Sequence, residues 1–171
     1  VNEALADGDN EFLRESGWSR TLQDDFIVKA FEYAHAADPD ALLIYNDYRC
    51  DTEGKRKKLL RLLRMLKDRK APIDAVGLQG HYELDSIPFE GLEAMFQEIS
   101  KLGLKIVVSE LDIDVVKRGR WWAEDGRYRE ELASFDPYKD GCPTEILKRQ
   151  ADQYAQLFAL FLKYQEAIER I

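Results

Sequence analysis

Two glutamates stand where carboxylates can do chemistry. Glu3 follows Val1-Asn2, and Glu110 closes the apolar run Ile106-Val107-Val108-Ser109. A charge at the end of a buried strand points into a cleft, not into the core. Two carboxylates facing each other across a cleft can hydrolyse a glycoside. One protonates the departing oxygen, while the other attacks the anomeric carbon or activates a water. Taken singly, each glutamate also fits an ordinary solvated position near a chain end or at a loop start. The neighbouring motifs tip the balance. Asn46-Asp47-Tyr48, Gln79-Gly80-His81 and Glu110-Leu111-Asp112 each follow an apolar run, so polar groups collect repeatedly at strand ends.

The elements that must position them alternate. Val1 to Ala4 reads as the end of a strand, followed by a polar loop with Asp7-Gly8 and Ser16-Gly17 as turn chemistry. Thr21 with Asp24 predicts a helix start, and Phe26, Ile27, Ala30, Phe31 and Ala34 recur at helical spacing up to Asp38-Pro39. Residues 41–45 are a short apolar run of the kind a strand shows when both faces are covered. Residues 55–70 predict a helix, 73–78 a strand, 89–102 a helix opened by Pro88 and closed by Gly103, and 104–109 a strand. A long loop runs from Asp114 to about Pro143, and a last helix capped by Thr144 reaches at least Ile168. Strands alternating with helices imply a parallel sheet. Catalytic groups at the strand ends suit a (β/α)8 barrel. A doubly wound sheet would also place its site there, but no Gly-rich phosphate loop follows any strand.

Composition narrows the function classes. With 171 residues the chain can build one real core, and 45% hydrophobic with 34% charged residues is a globular balance. A net charge of −8 disfavours nucleic acid, which needs a basic surface, and no apolar run reaches the roughly 20 residues that span a bilayer. The basic run Lys55-Arg56-Lys57-Lys58 reads as the wet face of one helix. Cys50 and Cys142 with few histidines make no zinc signature and read as unpaired thiols. Hydrolysis by two carboxylates requires no metal or organic cofactor.

Four motifs carry a resemblance. Val1-Asn2-Glu3-Ala4, Tyr45-Asn46-Asp47-Tyr48, Gly77-Leu78-Gln79-Gly80-His81 and Ser109-Glu110-Leu111-Asp112-Ile113 resemble, in order and spacing, those of glycoside hydrolase family 10. Lesser echoes are Ser16-Gly17-Trp18, Ala37-Asp38-Pro39 and Asp136-Pro137-Tyr138. The resemblance covers residues 1–171 as a partial catalytic barrel, its second half. It implies a (β/α)8 TIM barrel of which the chain covers about strand four to helix seven. A full barrel runs to about 250 residues. The first motif begins at residue 1, so the chain is expected to be cut from something larger. The N-terminal half of the barrel and strand eight would then be missing partners.

The resemblance also implies roles. The family consists mainly of retaining endo-β-1,4-xylanases acting on xylan or xylo-oligosaccharides. Glu3 would be the general acid/base, with a pKa raised by its surroundings, and Glu110 the nucleophile. Retention would set the two carboxyls about 5–5.5 Å apart. Asn2 would bond the sugar 2-hydroxyl. Gln79 would contact sugar and help orient a carboxylate, and His81 would bond the nucleophile. Asn46, Asp47 and Asp112 would hold these groups in place. Tyr45, Tyr48 and Tyr82 offer stacking faces or core packing, and Trp121 and Trp122 offer a sugar platform or a loop anchor. The residues Arg49, Cys50 and Asp51 depart from the family pattern after Asn46-Asp47-Tyr48. The family further implies a secreted or periplasmic protein. The competing expectation is a non-catalytic or incomplete fragment that binds carbohydrate or needs a complementary half, because a half barrel leaves sheet edges open.

Overall fold

A computed structural model describes residues 1–8, 10–116 and 137–171. In chain order the elements are α1 (Gly17–Leu22), α2 (Asp25–Ala37), β1 (Ile44–Tyr48), α3 (Glu53–Asp68), β2 (Ala75–Glu83), α4 (Phe89–Lys101), β3 (Lys105–Asp114), α5 (Thr144–Lys163) and β4 (Ile168–Arg170). The four strands form one parallel sheet, with neighbours in chain order. Residues 1–3 extend it beyond β1. The Val1 ammonium donates to Ile44 O at 2.9 Å, Asn46 N donates to Val1 O at 2.8 Å, and Glu3 N donates to Asn46 O at 2.8 Å.

Strand alternation splits the sheet into two faces. Tyr45, Val76, Leu78, Ile106 and Val108 join the core. They share it with Ile27 and Phe31 of α2, Leu59, Leu62, Leu63 and Leu66 of α3, Leu92, Phe96 and Ile99 of α4, and Leu157 and Phe161 of α5. Each fully buried side chain of this size contributes about 1.5–3 kcal/mol. The alternate residues Asn46, Gly77, Gln79 and Ser109 lie on the opposite face in two successive levels, Asn46 paired with Gly77 and Gln79 with Ser109. The polar motifs thus have a face of their own.

Several boundaries differ from expectation. The helix predicted from Thr21 is two helices. Ser16 caps α1 through a reciprocal bond with Ser19, and Gln23, at φ 52°, breaks the chain before α2. Strands β2 and β3 run past the apolar residues and through the polar motifs, so Gln79, His81 and Glu110 lie within strands and not beyond their ends. The last helix stops at Lys163. Its C-cap Tyr164 packs edge-on against Phe96 at 5.5 Å, and its hydroxyl bonds Glu93 and Gln97 at 3.0 and 3.1 Å. The chain then turns, Ile106 N donates to Ala167 O at 2.8 Å, and β4 pairs with β3. The strand after the last helix, expected to be absent, is therefore present. Three residues are too few to show an alternating pattern.

The basic run is also not simply a wet face. Lys57 is exposed, but Lys55 is buried, and Lys58 donates to the carbonyls of Ala6 and Gly8. Cys50 and Cys142 are free thiols, and burial pushes the Cys50 thiol up. Among the described residues no helix is long and apolar enough to cross a membrane.

Candidate active site

The site begins with a register slip. Gln79 pairs with Ser109, but His81 pairs with Asp112, so β3 carries one residue more than β2 between those pairs. Glu110 lies in this bulge with φ 56°. A bulge bends its strand and re-aims a side chain. Without the extra residue, His81 would face Leu111. With it, Asp112 comes opposite and its Oδ2 lies 2.8 Å from His81 Nδ1. Glu3 also has a left-handed backbone, φ 51°. Such geometry is uncommon for residues other than glycine and persists only where surrounding structure holds it.

Glu3 is gripped from two sides. Gln79 Nε2 donates to Oε1 at 2.9 Å, and Arg14 donates to Oε2 at 3.1 Å. Arg14 also donates to the Tyr48 hydroxyl at 2.6 Å, and that hydroxyl donates to Asp7 at 2.6 Å. Burial raises the Glu3 pKa, but the bonds from Gln79 and Asn2 and the charge of Arg14 outweigh it, so the carboxyl is held below its ordinary value. This corrects the expectation of a raised pKa. In these residues Glu3 is stabilised as the anion. Tyr48, buried in part and bonded to Asp7, is pushed up to about 12.

Glu110 is held differently. Its Oε2 lies 3.1 Å from His81 Nε2, and its Oε1 accepts from Asn46 Nδ2 at 3.2 Å. Burial lowers the His81 pKa, but the two flanking carboxylates, Asp112 and Glu110, outweigh it and raise it. An imidazole between two carboxylates satisfies both only as the doubly protonated cation. Asp112 therefore reaches the nucleophile candidate through His81.

Three amides join the two carboxylates. Asn2 Oδ1 accepts from Asn46 Nδ2 at 2.8 Å and from Gln79 Nε2 at 3.4 Å, which leads from Glu110 through Asn46, Asn2 and Gln79 to Glu3. Ser109 fixes the orientation of the central amide by donating to Asn46 Oδ1 at 2.7 Å. Gly77 makes room for it, because a Cβ there would sit 2.4 Å from Asn46 Oδ1. The structure thus brings together Asn2, Glu3, Asn46, Gln79, His81, Glu110 and Asp112. Asp47 stands apart, buried on the helix side of β1. Tyr45 is buried there too, and Tyr82 packs against the core, whereas Tyr48 borders the Glu3 cluster. Trp121 and Trp122 lie outside the described residues.

Sequence reasoning passes over Arg14, Lys55 and Ser109. Arg14 lies in a loop with no motif, Lys55 hides in a basic run, and Ser109 resembles any strand residue. Only the expectation that a buried aspartate needs a cation could have singled out Lys55. Among the described residues no cluster of three or more His, Cys, Asp or Glu side chains is placed to hold a metal.

Comparison with known proteins identifies the family. The model of glycosyl hydrolase family 10 matches residues 1–171. An endo-1,4-β-xylanase of Geobacillus stearothermophilus is 38% identical over all of this chain and 48% of its own length. A β-1,4-xylanase of Dictyoglomus thermophilum is 37% identical over 96% of this chain and 43% of its own length. Among solved structures, a GH10 endoxylanase from a sugarcane soil metagenome superposes with TM-score 0.86 at 33% identity, over 100% of this chain and 48% of that one. A psychrophilic family 10 endo-β-1,4-xylanase gives 0.79 at 32% identity, over 99% and 48%. The chain spans about half the length of the curated relatives it matches. Its parallel sheet and helices are part of a (β/α)8 barrel. The chain belongs to glycosyl hydrolase family 10.

Proposed function

We propose that the chain is the second half of a catalytic barrel that hydrolyses internal β-1,4-xylosidic bonds of xylan or xylo-oligosaccharides with retention. Glu110 attacks the anomeric carbon and forms a covalent glycosyl-enzyme, while Glu3 protonates the departing oxygen. Glu3 then takes a proton from water, which releases the sugar. Asn2 bonds the 2-hydroxyl, and Gln79 and His81 align the carboxylates. The observation that carries this reading is the continuous line of amides from Glu110 to Glu3. It holds two carboxylates on one face with different partners, as two different roles require.

Acid catalysis needs a protonated Glu3, yet this half holds it as an anion. A saccharide lying over the site strips water from the carboxyl, the direction in which burial already pushes it. A polymeric substrate favours action in a secreted or periplasmic setting. Proton NMR of the first reducing sugar released by the intact barrel tests the mechanism. The β anomer should form first; first formation of the α anomer would mean inversion, and absence of xylan hydrolysis would overturn the xylanase reading.

One observation favours a second reading. The chain matches about half of its relatives. Residues 1–171 alone would then be inert on xylan and regain activity only with a complementary half, because unpaired sheet edges invite a partner.

A further inference from the structure

Behind the site, on the helix face of the sheet, lies a polar cluster that the reaction itself does not use. Tyr45 and Asp47 are 0% and 1% exposed, and Lys55 is 6% exposed. The Tyr45 hydroxyl accepts from Ala4 N and Leu5 N, both at 3.1 Å, and donates to Asp47 Oδ2 at 2.6 Å. That uses the full capacity of a hydroxyl, one donor and two acceptor sites. Asp47 Oδ1 accepts from Tyr48 N at 2.9 Å and pairs with Lys55 Nζ at 2.9 Å. Lys55 also reaches Asp7 at 2.9 Å and sits 3.6 Å over the Tyr48 ring. No buried side-chain polar atom of the described residues is left without a partner.

The two amides that Tyr45 holds belong to the residues directly after Glu3. The Glu3 backbone is left-handed, and its own N–H donates to Asn46 O, while Ala4 O accepts from Arg14 N at 2.8 Å. The turn is therefore pinned on both sides of Glu3, and its inner pin is one phenol oxygen. A left-handed conformation at a glutamate needs such holding, since its neighbours must over-determine it.

We propose that Tyr45, clamped by the Asp47–Lys55 ion pair, is the positioning residue of the acid/base carboxylate, and that its hydroxyl sets where Glu3 stands relative to the departing oxygen. This rests on the acid/base role proposed for Glu3. Tyr45 touches neither substrate nor reacting atoms. It acts through the Ala4 and Leu5 amides, and Asp47 keeps the phenol aimed at them.

A misplaced acid/base slows the first, sugar-transferring step only where the leaving group needs its proton, and slows the second step whatever the leaving group was. The test compares kcat/KM of the intact enzyme and its Tyr45→Phe variant on two aryl β-xylobiosides. The phenyl glycoside has a leaving group that must be protonated, and the 2,4-dinitrophenyl glycoside has one that leaves unaided. Tyr45→Phe should lower kcat/KM for the phenyl substrate about 100-fold, as a displacement of about 1 Å does, and leave the dinitrophenyl value unchanged. Its reduced kcat on the dinitrophenyl substrate should recover with added azide. Azide attacks the anomeric carbon, displaces the Glu110 carboxylate and needs no base. Equal loss on both substrates, or no loss on either, would overturn the proposal. If Tyr45→Phe does not fold, Asp47→Asn, which keeps the shape and removes the charge from the clamp, must show the same selectivity, and its absence there is equally decisive. A parent enzyme inactive on both glycosides would instead refute the xylosidase chemistry on which the proposal rests.

Discussion

The surroundings of Glu3 and those of Glu110 solve different problems. Glu3 is less exposed, 29% of its side chain against 46% for Glu110, and it meets a guanidinium and an amide. Its backbone is braced from behind by buried groups. Glu110 stands on a strand bulge and meets an imidazole backed by a second carboxylate. In the proposed mechanism one carboxylate moves a proton and keeps its place through both half-reactions, and the other stays charged and reaches an anomeric carbon. Identical side chains acquire separate roles from what surrounds them. On the Glu3 side the carboxylate and the backbone meet different side chains: the Arg14 guanidinium touches the carboxylate, and the Tyr45 hydroxyl touches only the backbone.

The largest expected effect separates the two carboxylates outright. Glu110→Ala should abolish turnover of every glycoside. Glu3→Ala should lose about 10²–10⁴-fold in kcat/KM on substrates that need protonation and little on a dinitrophenyl glycoside. Steady-state kinetics with both substrates checks this, and equal losses in the two variants would erase the distinction. Next comes the amide line that joins them. Gly77→Ala forces a methyl to within 2.4 Å of Asn46 Oδ1, so Asn46 must swing away from Glu110 and Asn2. A fall in kcat on the order of 100-fold with KM changed less is expected. Wild-type kinetics in Gly77→Ala would show that the line is not needed.

The smallest effect is a shift and not a loss. Arg14 lowers the Glu3 pKa, so Arg14→Gln should raise it and move the alkaline limb of the kcat/KM profile to higher pH. The same change alters stability. A carboxyl with a lowered folded-state pKa contributes stability above its ordinary value, and that contribution is lost as pH falls through the lowered one. Arg14→Gln should therefore flatten the acid side of the urea-unfolding stability curve. An unmoved alkaline limb would mean that Arg14 does not set the charge of Glu3.

Much of this was legible in the residues. The strand-end motifs located Glu3, Asn46, Gln79, His81 and Glu110 because an apolar run followed by polar groups has one economical explanation in a parallel sheet. What stayed hidden depends on contacts distant in sequence. Arg14 gains meaning only when its loop folds back on Glu3, and Lys55 only when α3 lays it against β1. The bulge at Glu110 leaves no local signature, since Ser109-Glu110-Leu111-Asp112 lacks the glycine that usually marks a left-handed residue. The lowered Glu3 pKa was misread for the same reason: the acid role that the resemblance implies called for a raised value, and the cation beside the carboxyl was not visible. β4 escaped because the helical pattern before it runs on through Tyr164, where packing on Phe96 ends the helix.

In the proposed mechanism Glu110 forms the bond to sugar and Glu3 does not. The direct measurement is to inactivate the intact enzyme with a 2-deoxy-2-fluoro-β-xylobiosyl fluoride, which slows release of the glycosyl-enzyme, and to locate the added mass by peptide sequencing. One sugar esterified to Glu110 is the expected result. A label on Glu3, or turnover with no covalent adduct and an inverted product, would contradict it.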